Sequence, residues 1–173
     1  IEVHISQGIR FFIVGLADNA IRESQQRMES ALTQSGFTWP HFRVVINLSP
    51  ANLRKEGSHY DLPLALGLLG ASGQLDSGRL EEYLIMGELS LDGSLRPVRG
   101  VLPLALLARK EGFRGVLVPK QNRKGAAVVE GLEVIGVSDL KEAVSFLEGT
   151  WNPGPEEPAL KDLHNKNIRV EEE

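Results

Sequence analysis

Three residues equipped for chemistry stand within four positions of one another: Ser58, His59 and Asp61, in the stretch NLSPANLRKEGSHYDLPLALGLL from Asn47 to Leu69. A serine, an imidazole and a carboxylate are the parts of a hydrolytic triad, but a triad draws its members from different segments so that they form one hydrogen-bonded line. Near neighbours in a single turn point apart. The pattern reads better as structure, with Ser58 satisfying loop backbone and Asp61 capping the helix that follows. Glu88, set among apolar residues in LIMGELSL, either is partly buried with a raised pKa or faces water on the alternate side of a hairpin, and alternation favours water.

The basic residues Arg54, Lys55, Arg96 and Arg99 fall near segment ends, where they can meet on one surface and contact phosphates, or can form an ordinary solvated surface with local ion pairs. Phe11, Phe12, Trp39 and Phe42 belong to strands or their edges, where core packing is expected before base stacking. Nucleotide fingerprints are missing: there is no Gly-x-x-x-x-Gly-Lys-Ser/Thr loop and no Gly-x-Gly-x-x-Gly turn. Histidines occur at 4, 41, 59 and 164 without the spacing of helix metal ligands, so no metal and no cofactor are expected in this chain.

These residues need elements to position them. Ile1 to Ile5 and Arg10 to Leu16 read as strands, with Gln7-Gly8 between them as a hairpin. Asp18 caps a helix whose apolar face is Ile21, Met28 and Leu32 and which Gly36 stops. FRVVINLS is a third strand. DLPLALGLLGASG is a mostly buried helix with Pro63 tolerated in its first turn. YLIMGELSLDGSLRPV predicts two strands around Asp92-Gly93, a pair favoured in tight turns. There follow a helix in VLPLALLARKEG, a strand in GVLVP, a helix over 124–129, a strand in LEVIGV, and a closing helix in DLKEAVSFLEG capped by Asp139. Alternating strands and helices in this half imply parallel pairing.

With 173 residues, 42% of them hydrophobic, the chain can bury one α/β core over 1–149 without help from metals or disulfides. From Thr150 the text turns rich in proline and charge, so 150–173 reads as a linker or docking tail. The net charge is −4, but the tail after Pro153 holds six of the acids, leaving 16 basic and 17 acidic residues elsewhere. Such a balance neither announces nor forbids a local basic patch. Cysteine is absent, in keeping with a reducing compartment, and the expected location is the cytoplasm. No apolar run approaches the ~20 residues of a membrane span. A start on Ile rather than Met, directly in strand-like text, leads us to expect a piece of a longer protein.

Lys55 through Pro119 also carries a family likeness. The phrases KEGSHYDLPLALGLLGASGQ, MGELSLDGSLRPVRGVLPLALLARKEG and GVLVPKQN resemble the proteolytic domain of Lon protease, which reads Lys-Asp-Gly-Pro-Ser, Gly-Glu-Ile-Thr-Leu, Pro-Ile-Gly-Gly-Leu-Lys and Val-Leu-Ile-Pro-Lys in the same order. IVGLADNAIRESQQRM, INLSPANLRKEGSHYDLPLALGLL and GELSLDGSLRPVRGVLP resemble still more closely the amino-terminal domain of the magnesium-chelatase-like AAA+ ATPases called ComM or YifB. The resemblance implies a Lon-protease-like fold of the ribosomal-protein-S5 domain-2 type, one sheet with packed helices. It also implies a parent chain that continues into an ATPase module, holding ATP and Mg, and assembles as a hexameric motor on DNA.

Laid on this sequence, the protease's nucleophilic serine falls on His59 and its lysine on Leu102. Leucine can neither attack a carbonyl nor take a proton, so the implied role is non-catalytic, an accessory domain supporting assembly. Its expected partners are its own ATPase module, neighbouring subunits and DNA, with no membrane. Two alternatives stay open: a DNA-binding module using Arg54, Lys55, Arg96 and Arg99, and a peptidase with a displaced nucleophile at Ser58, assisted by Lys55.

Overall fold

The computed structural model describes residues 1–153, apart from the side chain of Ser77. The chain is mixed α/β, as expected, but its strands divide between two three-stranded sheets and a two-stranded ribbon rather than forming one sheet.

The first sheet has the order β1-β3-β2, from β1 (Glu2–Ser6), β2 (Phe11–Val14) and β3 (Arg43–Asn47). The hairpin expected of β1 and β2 is not formed. β3 lies between them, antiparallel to β1 and parallel to β2. Stepping over one intervening strand means covering about 9.5 Å, well within reach of the four residues 7–10. A local turn signal shows that the chain reverses, not whether a later strand enters the gap. Helix α1 (Asn19–Gln34) and helix α2 (Asp61–Ala71) bury the apolar face, with Ile21, Met28, Leu32, Val44 and Ile46 in the main core. Asp18 Oδ1 accepts from Ile21 N at 2.8 Å, the expected cap.

The second sheet has the order β4-β7-β8 and is parallel throughout, from β4 (Tyr83–Ile85), β7 (Gly115–Pro119) and β8 (Glu133–Val137). Helices α3 (Val101–Lys110) and α4 (Arg123–Ala126), the latter shorter than the sequence implied, form a second core with Val116, Val118 and Val134. Leu117, Ile135 and Val137 face the main core with α5 (Leu140–Leu147). Asp139 caps α5 through Glu142 N at 2.8 Å. Covered on both faces, β7 is buried at every position, which is why GVLVP lacks alternation.

Between the sheets lies the ribbon of β5 (Glu88–Leu89) and β6 (Leu95–Arg96), the hairpin foreseen around Asp92-Gly93 but two residues long on each side, because Tyr83–Ile85, expected in its first strand, pairs with β7 instead. Its tip is not free. Ser30 Oγ donates to Leu91 O at 2.7 Å, and Leu140 N to Gly93 O at 2.9 Å. Gly93 has φ +91 and lies against Ser35 Oγ, so a Cβ there would meet both strain and a clash. The expected tail lies outside the described residues beyond Pro153, while Trp151 N donates to Ser145 O and its ring packs on the main core.

Candidate functional site

The turn before α2 is built by three neighbours. Lys55 N donates to Leu16 O and Asp18 N to Lys55 O, which holds the incoming loop against the β2–α1 connection. Asp18 then uses its second oxygen to accept from Gly57 N at 2.9 Å. Burial pushes the Asp18 carboxyl up, but the N–H groups of Ile21 and Gly57 and the charge of Arg54 bring it below its ordinary value. Gly57 sits at φ +94, and a Cβ on it would come within 2.8 Å of His59 Nδ1. Residues Ser58–Tyr60 make a 3-10 turn, and Gly87 closes it from the far side: Gly87 N donates to His59 O at 2.9 Å and Leu62 N to Gly87 O at 3.0 Å.

Within this frame Ser58, His59 and Asp61 go separate ways. The Ser58 hydroxyl donates to Glu88 Oε2 at 2.6 Å, not to loop backbone. Glu88 is accordingly half-buried at the ribbon rather than turned to water. Asp61 does not cap α2. It is the first residue of the helix and fully buried, where it receives Arg27 Nε at 2.7 Å, Arg27 Nη2 at 2.9 Å and Leu89 N at 3.1 Å. A carboxylate in the first turn suits the helix dipole, but the arginine of α1 outbids the helix N–H groups because a charged, two-pronged partner is stronger. Burial pushes the Asp61 carboxyl above its usual range, against the pull of Arg27 and Leu89 N, while the carboxylate raises Arg27 in turn. We take the pair as ionised, since both carboxylate oxygens accept guanidinium hydrogen bonds.

His59 is half-buried, with its ring 4.4 Å from that of Tyr60. Burial lowers its pKa below the ordinary imidazole value, and the charges of Asp18 and Asp61 offset this only in part. Its imidazole makes no hydrogen bond among the described residues. Leu102 lies on the outer side of α3, 42% exposed, beside Leu106 at 45% and Leu107 at 47%.

The four basic candidates differ in kind. Lys55 is buried, and its ammonium donates to the backbone carbonyls of Gly15, at 2.8 Å, and Pro50, so it is unavailable to a phosphate or to Ser58 as a base. Arg54 is exposed and pairs with Glu56 at 3.2 Å. Arg96, opposite Glu88 in the ribbon, donates from Nε to Ser90 Oγ at 3.0 Å. Arg99 is exposed beyond the ribbon. Among the described residues no group of three His, Cys, Asp or Glu is placed to hold a metal ion, and no helix is long and apolar enough to cross a membrane. Sequence reasoning missed Arg27, whose partner lies 34 positions away, although an arginine on the polar side of α1 and an acid opening a buried helix were both visible.

Comparison with known proteins adds to this geometry. A family model described as subunit ChlI of Mg-chelatase matches residues 1–122. The uncharacterized protein Rv2897c of Mycobacterium tuberculosis is 45% identical over 151 residues, 87% of this chain and 30% of that protein. Competence protein ComM of Haemophilus influenzae is 42% identical over 150 residues, 86% of this chain and 29% of that protein. Similarity to Lon protease 2 of Bacillus subtilis is weaker, 25% over 145 residues, and accords with a Lon-like fold. The chain thus spans about 30% of the length of ComM and Rv2897c. With most of its length matched by that model, the chain belongs to the Mg-chelatase ChlI-like family, with ComM and YifB proteins among its relatives.

Proposed function

We propose that this chain is a Lon-like accessory domain without peptidase chemistry, which carries contacts between subunits of a larger ATPase of the ComM/YifB kind. The observation that carries the reading is the outer side of α3. Where the resemblance puts a catalytic lysine stands Leu102, exposed one turn from the exposed Leu106, with Leu107 exposed further round the helix. Exposed leucines on one helix suit contact with a protein surface, not proton transfer. The turn supports the same reading, since Ser58 is engaged by Glu88 and Lys55 by carbonyls rather than by one another. In this proposal ATP and Mg are held by the remaining length of the parent, and neighbouring subunits of a hexamer meet through α3. Direct DNA contact through Arg54, Lys55, Arg96 and Arg99 is the weaker alternative, because Lys55 is enclosed and Arg54 is paired.

The test is Leu102→Glu combined with Leu106→Glu in the full-length parent. The expected result is loss of the hexamer in sedimentation with nucleotide, while the unfolding midpoint of the 173-residue chain is unchanged. Hexamers that form normally would remove the assembly reading. Casein digestion by the wild-type chain that disappears in Ser58→Ala would reinstate the peptidase.

A further inference from the structure

A subunit contact through α3 supplies only half of an interface. A ring of more than two copies needs a second, different surface for α3 to meet, because a patch that pairs with itself closes at a dimer. The chemistry of α3 says what that surface must carry. Leu102, Leu106 and Leu107 are exposed along it, Arg109 and Lys110 follow three and four positions after Leu106 and continue its side, and the helix itself has no acidic residue. Neither Arg109 nor Lys110 forms an ion pair among the described residues. The counterpart should be a projecting apolar side chain flanked by carboxylates that lack cationic partners of their own.

Such a group stands at the tip of the ribbon. Leu89 and Leu95, in its two strands, are 1% and 4% exposed, whereas Leu91 between them is 59% exposed. Asp92 is exposed beside it, and so is Glu29 of α1, the neighbour of the Ser30 whose hydroxyl donates to Leu91 O. The Asp92 carboxylate accepts from Ser94 N at 2.9 Å and Ser94 Oγ at 2.6 Å, and neither Asp92 nor Glu29 forms an ion pair among the described residues. Arg96, the cation of the ribbon, lies opposite Glu88 and donates to Ser90 Oγ. Hydrogen bonds to Ser30 on one side and Leu140 on the other already fix the backbone of the tip, so docking Leu91 forfeits little loop freedom. α3 packs in the second core and the tip rests on α1 of the main core, so the two surfaces are distinct.

From this we infer that the ribbon tip docks on α3 of a neighbouring copy of this chain, Leu91 against Leu102 and Leu106, with Asp92 and Glu29 facing Arg109 and Lys110. The argument is complementarity of charge: each surface pairs exposed leucine with unpaired ions of one sign, and the signs are opposite. The inference rests on the assembly reading and adds the surface that α3 meets.

Crosslinking of the full-length parent in the presence of nucleotide tests it. This chain has no cysteine, so Leu91→Cys with Leu106→Cys puts one thiol on each of the two surfaces. With a bismaleimide crosslinker the double variant is expected to give a ladder of covalent oligomers beyond the dimer, and each single variant none. In sedimentation, Glu29→Lys alone and Arg109→Glu with Lys110→Glu should each raise the concentration for half-assembly on the order of 10-fold, and the three changes together should recover most of that loss. Damaged folds do not mend one another, so recovery reports the contact and not misfolding. If Leu102→Glu with Leu106→Glu abolishes hexamers but the double cysteine variant gives no ladder, α3 meets another surface, and the inference falls while the assembly reading stands. Hexamers that survive Leu102→Glu with Leu106→Glu remove the assembly reading and this inference with it. A crosslinked dimer from Leu106→Cys alone also overturns the inference, since α3 would then face its own copy across a twofold axis. A ladder without charge recovery overturns the role given to the carboxylates.

Discussion

The two three-stranded sheets have the same number of strands and opposite surroundings. The β4-β7-β8 sheet is covered on both faces and its central strand is buried throughout, whereas the β1-β3-β2 sheet is covered on one face and, among the described residues, bare on the other. Their sequences differ accordingly: GVLVP is continuous and apolar, while RVVIN and FFIV alternate in burial. A twice-covered strand is committed to packing. A once-covered sheet leaves its other face open among the described residues, and there the Arg43 guanidinium lies over the Phe12 ring.

The contrast can be broken hardest where the two sheets are joined. Asp61→Ala would strand the Arg27 guanidinium and leave Leu89 N–H without its acceptor, costing about 3–5 kcal/mol in urea unfolding and loosening the ribbon between the sheets. Next, Leu117→Ala in the covered sheet should cost about 3 kcal/mol, against about 1 kcal/mol or less for Val45→Ala on the bare face; equal costs would mean that the bare face is packed after all. Asp18→Ala removes the α1 cap and the tie to Gly57, with an expected loss of about 1–2 kcal/mol that shrinks in acid. The sign follows from its depressed pKa: the contribution is present above the ordinary carboxylate value and is lost as pH falls through the lower folded value. The smallest effect belongs to His59. Burial lowers its folded pKa, so the unfolded chain binds the proton first, and stability falls as pH drops below about 6.5 toward the folded value. His59→Asn should flatten unfolding midpoints measured across that window.

Much of this was legible in the sequence because it is local. The caps at Asp18 and Asp139, the Asp92-Gly93 turn and the apolar runs of α2 and β7 each need only neighbours a few positions away, and each is where the pattern put it. The errors share the opposite cause. β3 enters between β1 and β2 from beyond the whole of α1, Asp61 turns to Arg27 instead of its own helix, and Ser58 reaches Glu88 across to the ribbon. Lys55 looked like a surface charge because its acceptors are backbone carbonyls, which have no sequence signature. Phe12 and Phe42 were assigned to the core on residue type, but alternation turns Phe12 outward and Phe42 lies past the covered part of the sheet. For the site itself, the sequence showed the groups present, while only the fold shows that they are already engaged with one another.

One stretch, Tyr83 to Leu89, hydrogen-bonds in succession to β7, to the 3-10 turn through Gly87, and to Asp61 through Leu89 N. Because a single extended segment is stitched into both cores, neither half has a seam along which to open by itself. Loosening one hydrophobic cluster drags on the other, so these amides should exchange with solvent only when the whole domain lets go, and strain applied at α3 would be felt in the serine turn rather than dissipating in a hinge.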